Sequence, residues 1–276
     1  AARNASVPVI AFSNDRSVAG HGVYLMSFLA EPEVTRVVSY AASQGKRRFA
    51  ALIPDDAYGR AVEPAFREAV QRAGGTLGAV EFYPLHANGM LEPARRVMAS
   101  IKSDEQAGDP VDALFLPGGP EQLPQLGPLV AYSGIDTARI KLLGTGAWDF
   151  PNLGRDATFV GGWFPGPDPR GFSEFSQRFA RTFGSPPPRI ASLAHDAVGL
   201  AVELAALPRG QRFTPGNITR ATGFAGVDGV VRLLPNGASE RNLAILEVQP
   251  FGASVLDPAP RLAPASQVSQ APARVN

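Results

Sequence analysis

Residues 49–75 read FAALIPDDAYGRAVEPAFREAVQRAGG, and the fold is decided there. Phe49 to Ile53 is a short apolar run with strand character, followed by Pro54, Asp55 and Asp56. A helix then opens at Tyr58-Gly59. Ala61, Val62, Ala65, Phe66, Ala69, Val70 and Ala73 recur three and four apart, the spacing of one helix face. Asp55 and Asp56 can accept from the orphan N–H groups at the helix start, and Gly74-Gly75 provides the backbone freedom to end it. The carboxyl end of a strand therefore meets a helix N-terminus beside a tyrosine. In open α/β sheets, ligands sit in that crevice.

Outward from this unit, helix and strand alternate with short Gly/Pro joints, which argues for parallel βαβ construction. Pro32 to Gln44 is a helix with Val34, Val37, Val38, Ala41 and Ala42 inward, stopped by Gly45. Thr76 to Tyr83 reads as a strand, Leu91 to Ile101 as a helix, and Asp112 to Leu116 as a strand running into Pro117-Gly118-Gly119. Glu121 to Tyr132 is helical but interrupted by Pro124 and Pro128. Lys141 to Gly144 is a further strand. Past Gly144 to Asn152 the rhythm restarts, with a strand at Ala157 to Trp163 and helices at Arg170 to Phe183 and Ile190 to Leu207. A short helix from Thr214 follows. Gly229 to Leu234 and Leu243 to Val248 flank Pro235-Asn236-Gly237, and Asn-Gly between apolar runs signals a hairpin. Residues 257–276 are rich in Pro, Ala, Ser and Gln and read as a flexible tail.

Composition narrows the function classes. The 276 residues are 45% hydrophobic and 18% charged, a globular balance, and the net charge of +1 gives no bulk attraction to nucleic acid or anionic membrane. There is no cysteine, which removes disulfides, thiolate metal sites and thiol catalysis. No apolar run approaches the about 20 residues that a membrane-spanning helix needs. His21, His86 and His195 lie far apart in sequence without metal-site spacing, so no metal is expected. His195 reads as a packed, hydrogen-bonded core residue. Gly-x-Ser-x-Gly, Gly-x-Gly-x-x-Gly and Gly-x-x-x-x-Gly-Lys are all missing. Neither an enzymatic activity nor a cofactor is expected.

The segments resemble, in order, the type I periplasmic binding fold of the leucine/isoleucine/valine-binding family. The matching residues are Val7 to Asp15, Asp55-Asp56-Ala57-Tyr58-Gly59-Arg60, Ala73-Gly74-Gly75, Val111 to Leu116 with Gly118-Gly119, and Leu143-Gly144-Thr145-Gly146. Phe179, Phe183-Gly184, Pro187, His195-Asp196-Ala197 and Gly226-Val227-Asp228-Gly229 continue the match. Within the family the chain looks most similar to the penicillin-binding protein activators, on FSNDRSVAG and GKRRFAALIPDDAYG.

The resemblance implies an α/β fold of two Rossmann-like lobes with parallel sheets. The first lobe would hold residues 1–28 and 147–224, and the second 29–146 and 225–256, with hinge closure trapping a ligand. The match begins partway into the family's first lobe. That lobe is therefore expected to lack its N-terminal part here, to expose apolar surface, and to belong to a longer natural polypeptide.

Ligand contacts implied by the resemblance are Ser13, Asn14, Asp15, Tyr58, Gly118, Gly119, Thr145, Gly146 and Trp148. From the residues alone, Ser13-Asn14-Asp15 reads as a polar turn ending a strand, and the resemblance sets the ligand role level with it; Tyr58 reads as a cleft residue ahead of one that packs the first helical turn. Amino-acid binders of the family carry an acid where Gly146 stands and a tyrosine where Pro120 stands. Both losses weigh against an amino-acid ligand, because a buried ammonium needs a carboxylate. Asp149 is a substitute, or else a cap ahead of Pro151. The expected function is a non-enzymatic envelope protein, placed first as a regulator of a peptidoglycan synthase. The alternative is a receptor that passes a small polar solute, such as an amino acid or amide, to an ABC transporter permease. Either implies a periplasmic location, with any lipid anchor carried outside this chain.

Overall fold

A computed structural model of the protein describes residues 7–86 and 88–260. In chain order these form β1 (Val9–Ala11), β2 (Val23–Leu25), α1 (Ala30–Ser43), β3 (Arg48–Pro54), α2 (Ala57–Arg72), β4 (Thr76–Tyr83) and α3 (Leu91–Gln106). Then come β5 (Ala113–Phe115), α4 (Leu123–Tyr132), β6 (Lys141–Leu143), β7 (Trp163–Gly166), α5 (Pro169–Phe183), α6 (Ala191–Ala205) and α7 (Pro215–Ile218). The last strands are β8 (Phe224–Gly226), β9 (Gly229–Leu233), β10 (Ser239–Arg241), β11 (Ala244–Val248) and β12 (Ala253–Asp257).

The chain divides into two compact units. Unit 1 takes Ala1–Leu29, Pro167–Asn242 and Ala259–Asn276, and unit 2 takes Ala30–Gly166 and Leu243–Pro258.

Unit 2 is a seven-stranded sheet ordered β12-β11-β7-β6-β5-β3-β4. From β4 through β7 the neighbours run parallel, and β11 and β12 add antiparallel strands at the far edge. The deciding stretch folds as its pattern requires. Asp56 caps α2, its Oδ1 accepting from the Gly59 N–H at 2.7 Å. Gly59 lets the helix approach the strand it follows, since a Cβ there would lie 1.8 Å from the Pro54 carbonyl oxygen. Gly74, at φ 68°, turns the chain out of the helix. Val62, Phe66 and Val70 of α2 pack with Val34, Val37 and Val38 of α1 over Phe49, Ile53 and Phe115, all fully or almost fully buried. Phe66 stacks on Phe115 with ring centroids 4.6 Å apart. Each such side chain contributes about 1.5–3 kcal/mol on removal from water.

Unit 1 differs. Among the described residues it has one parallel pair, β1-β2, and a separate antiparallel sheet ordered β10-β9-β8, where two parallel-sheet lobes were expected. Its core joins Tyr24 and Met26 to Leu193, Leu200 and Leu204 of α6 and to Phe224, Val231 and Leu233. Apolar side chains also face outward here, among them Val198 at 64% and Val202 at 65% exposure on α6.

Several boundaries depart from the sequence reading. Residues 147–166 sit in unit 2, because β7 is hydrogen-bonded into its sheet between β6 and β11. Residues 225–242 sit in unit 1, because β8 to β10 form their own sheet against α6. The run Ala157 to Trp163 is a series of turns with strand only from Trp163, since Asp156 accepts from Thr158 N at 2.9 Å and Gly161 takes φ 81°. The Asn236-Gly237 hairpin forms, but its second strand is β10, with Ser239 opposite Leu233, while Leu243 to Val248 joins the large sheet. Strand β12 reaches Asp257, the first residue of the expected tail, of which residues 261–276 lie outside the described residues.

Candidate functional site

At the carboxyl ends of the parallel strands in unit 2, four loops gather polar groups. The turn after β3 carries Asp56 and, in the first turn of α2, Tyr58. The end of β4 is Tyr83. The loop after β5 holds Gly118 and Gly119, and the loop after β6 holds Thr145 and Gly146. A hydrogen bond of 2.7 Å joins the Tyr58 hydroxyl to Thr145 Oγ1. Tyr58 is half-buried and Thr145 fully buried. A Cβ on Gly118 would come within 3.2 Å of the Tyr83 hydroxyl, and one on Gly119 within 3.8 Å of Ala147 Cβ, so the two glycine loops close on this crevice.

The charge in the crevice comes from a residue that motif reading passed over. Glu33, in the first turn of α1, is buried, and its Oε2 accepts from the Gly146 N–H at 2.9 Å. A side chain at position 146 would collide with it, a Cβ there lying 2.6 Å from Glu33 Oε1. Gly146 therefore leaves space that a carboxylate from another element fills. Burial pushes the Glu33 carboxyl up to about 7, and the Gly146 N–H only partly offsets this. Burial raises the Tyr58 phenol strongly, as does the charge of Glu33, against the hydrogen bond from Thr145. Tyr83 is raised by burial and by Asp56. Among the described residues, the fully buried Tyr83 hydroxyl has no hydrogen-bond partner.

A signal for both residues exists in the sequence. Glu33 lies four and eight residues before Val37 and Ala41, so it interrupts the buried stripe of α1. Tyr83 ends a strand, where the crevice rule places ligand groups.

Other expected contacts have local duties. Trp148 is 1% exposed, donates its Nε1–H to the Leu116 carbonyl at 2.9 Å and meets the Phe159 ring edge-on, so it belongs to the core and not to a ligand wall. The Gly119 N–H donates to Gln122 Oε1 at 3.0 Å, ahead of α4. In unit 1, Ser13 Oγ accepts from Asp15 N at 3.1 Å, and Asp15 Oδ1 accepts from Ser17 N at 2.9 Å, capping the 3-10 turn Arg16–Val18. Asn14 is exposed.

His195, expected in the core, has 55% of its side chain exposed and packs edge-on against Phe175. Its neighbour Asp196 is the buried one, accepting from Val227 N at 2.8 Å and so holding the β8–β9 turn. The His195-Asp196-Ala197 and Gly226-Val227-Asp228-Gly229 motifs thus meet in space as packing elements. Among the described residues no group of three His, Asp or Glu side chains converges as a metal ion requires.

A mostly parallel sheet with polar side chains and glycines collected at its strand ends defines an α/β ligand-binding protein. The chain belongs to the periplasmic binding protein family, whose model matches residues 1–253. Among curated proteins, none matches the chain.

Solved structures share the fold at low identity. A substrate-binding protein of an ABC transporter from Desulfitobacterium hafniense superposes with a TM-score of 0.71 at 19% identity, over 92% of this chain and 75% of that one. The leucine binding protein LivK from Thermotoga maritima gives 0.68 at 16%, over 92% and 73%. A solute binding protein of an ABC transporter from Rhodopseudomonas palustris, in complex with 3,4-dihydroxybenzoic acid, gives 0.65 at 20%, over 94% and 74%. The family and these neighbours are ligand-binding proteins.

Proposed function

We propose that the chain is a solute receptor of the periplasm, passing one small polar molecule to an ABC transporter. The observation that carries this reading is the crevice of unit 2, where Tyr58, Thr145, Gly146 and Gly118 meet at the strand ends with hydroxyl, amide and aromatic surface directed to one place. The family supports the periplasmic location. The similar structures are solute-binding proteins, which favours the receptor over the synthase regulator suggested by FSNDRSVAG and GKRRFAALIPDDAYG.

Thermal shift against a panel of amino acids, amides, amines and aromatic acids tests the reading. A ligand present at 100 times its Kd adds about 2.7 kcal/mol of stability, enough for a clear rise in Tm. Tyr58→Ala is expected to weaken any ligand so found. A ligand whose affinity ignores that substitution would remove Tyr58 from the site.

A further inference from the structure

The crevice of unit 2 holds two buried groups whose bonding capacity exceeds what the protein supplies. Glu33 presents a carboxylate that receives, among the described residues, one hydrogen bond, from Gly146 N. Tyr83 presents a hydroxyl that receives none. They belong to one neighbourhood, because Glu33, Asp56 and Tyr83 all act to raise the Tyr58 phenol. Among the described residues, no lysine or arginine acts on Glu33, Tyr58 or Tyr83. A buried carboxylate without a cation or several donors is costly, and removing it from water is offset only by a partner of opposite charge. The same wall gives a ligand carboxylate no counter-charge.

We propose that Glu33 determines specificity in this receptor, and that the solute it recognises carries a protonated amine or amidine whose N–H groups reach the Glu33 carboxylate beside Gly146. The inference rests on the receptor reading above and deepens it. It also revises the argument drawn from position 146, where the missing acid spoke against an amine-bearing ligand. Gly146 is the vacancy through which α1 delivers the acid, and a side chain there would displace it. Tyr83, with a free donor and acceptor, suits a second polar atom of the same solute.

Two elements face Glu33, the β6 loop and α2 with its cap. The β6 loop presents the Gly146 N–H, α2 presents the Tyr58 phenol, and Asp56 reaches the site through Tyr58. Ionised Glu33 is the form that accepts a cation, so affinity for the amine is expected to rise as pH climbs through about 7.

The test is titration calorimetry with the full chain and solutes in matched pairs: leucine with 4-methylpentanoate, benzylamine with benzyl alcohol, benzamidine with benzamide. Wild type and Glu33→Gln are compared at pH 6 and pH 8. Glutamine keeps the acceptor for Gly146 N and the side-chain volume, so Tm is expected to hold or rise, whereas a purely structural glutamate would lower it. The expected result is binding of an amine or amidine member on the order of 100-fold tighter than its neutral or deaminated partner, with a similar loss in Glu33→Gln. Binding of uncharged or anionic members with Glu33→Gln unimpaired overturns the charge assignment and leaves the receptor standing. Binding of no member at either pH overturns the receptor reading, and this inference with it.

Discussion

Both units bury charge, and they do so in opposite ways. In unit 1, Asp228 is fully buried and takes a fork from Arg189 at 2.8 and 3.0 Å, plus the Ser192 hydroxyl at 2.6 Å. Arg241, 4% exposed in its side chain, lies 3.6 Å from Asp196 and over the Phe28 ring at 5.4 Å. Burial lowers its affinity for the proton, and Asp228 and Asp196 restore part of it. Two acids and two bases close on one another there, stacked on Phe28 and Phe172. In unit 2, Glu33 is buried with a backbone N–H and, among the described residues, no counter-ion. The first arrangement sets acids against bases and reads as structure, although among the described residues the three Arg241 guanidinium nitrogens and Asp196 Oδ2 are buried there without a hydrogen-bond partner. The second lacks an opposite charge, and perturbed buried carboxyls of that kind gather at ligand sites.

The comparison breaks most readily at Asp228. Asp228→Ala removes the buried carboxylate on which the Arg189 fork and the Ser192 hydroxyl converge, so urea denaturation is expected to show a loss of about 3–5 kcal/mol. A loss under about 1 kcal/mol would mean that the Asp228 pair behaves as a solvated surface pair.

Glu33→Gln sharpens the contrast, because its effect has the other sign. The Glu33 carboxyl moves from 4.5 to about 7 on folding. The folded state then holds more protons than the unfolded one between those values. The stabilising contribution of the protonated side chain is complete below about 4.5 and is lost as pH rises through about 7. The shift corresponds to on the order of 3 kcal/mol. The stability difference between wild type and Glu33→Gln should therefore swing towards the variant across that window. A pH-independent difference would place Glu33 in an ordinary solvated setting.

The smallest expected effect is at Tyr58. Tyr58→Phe forfeits the hydrogen bond to Thr145, at a cost of about 1 kcal/mol in stability, while the ring remains. A cost several times larger would make the Tyr58–Thr145 pair a structural keystone instead of an available wall.

Where one segment's own pattern carries the answer, sequence and structure agree. The helix face of residues 57–72 and the capping aspartate are local properties, and Thr76–Tyr83 is a strand over the span its residues suggest. Agreement fails where partners are distant. Ala157 to Trp163 has the composition of a strand, yet Phe159 is drawn under Trp148, with centroids 5.5 Å apart, and the chain turns there. The Asn236-Gly237 turn is visible, but which apolar run it returns depends on a choice between two sheets. β10 takes the near pairing and β11 crosses to β7. Glu33 shows in the sequence only as a break in the apolar stripe of α1, and its place in the site does not, because it acts beside Gly146, 113 residues further along the chain.

The order of apolar, capping and glycine positions was enough to determine an α/β fold with parallel strands, and to mark Tyr58, Gly118, Thr145 and Gly146 as positions at strand ends. Those are consequences of periodicity and of where turns must fall. Tertiary structure alone decided which buried charges meet an opposite charge and which one is met by a backbone N–H. Burial and counter-charge depend on side chains that converge from separate elements, and spacing along a chain does not encode that distance.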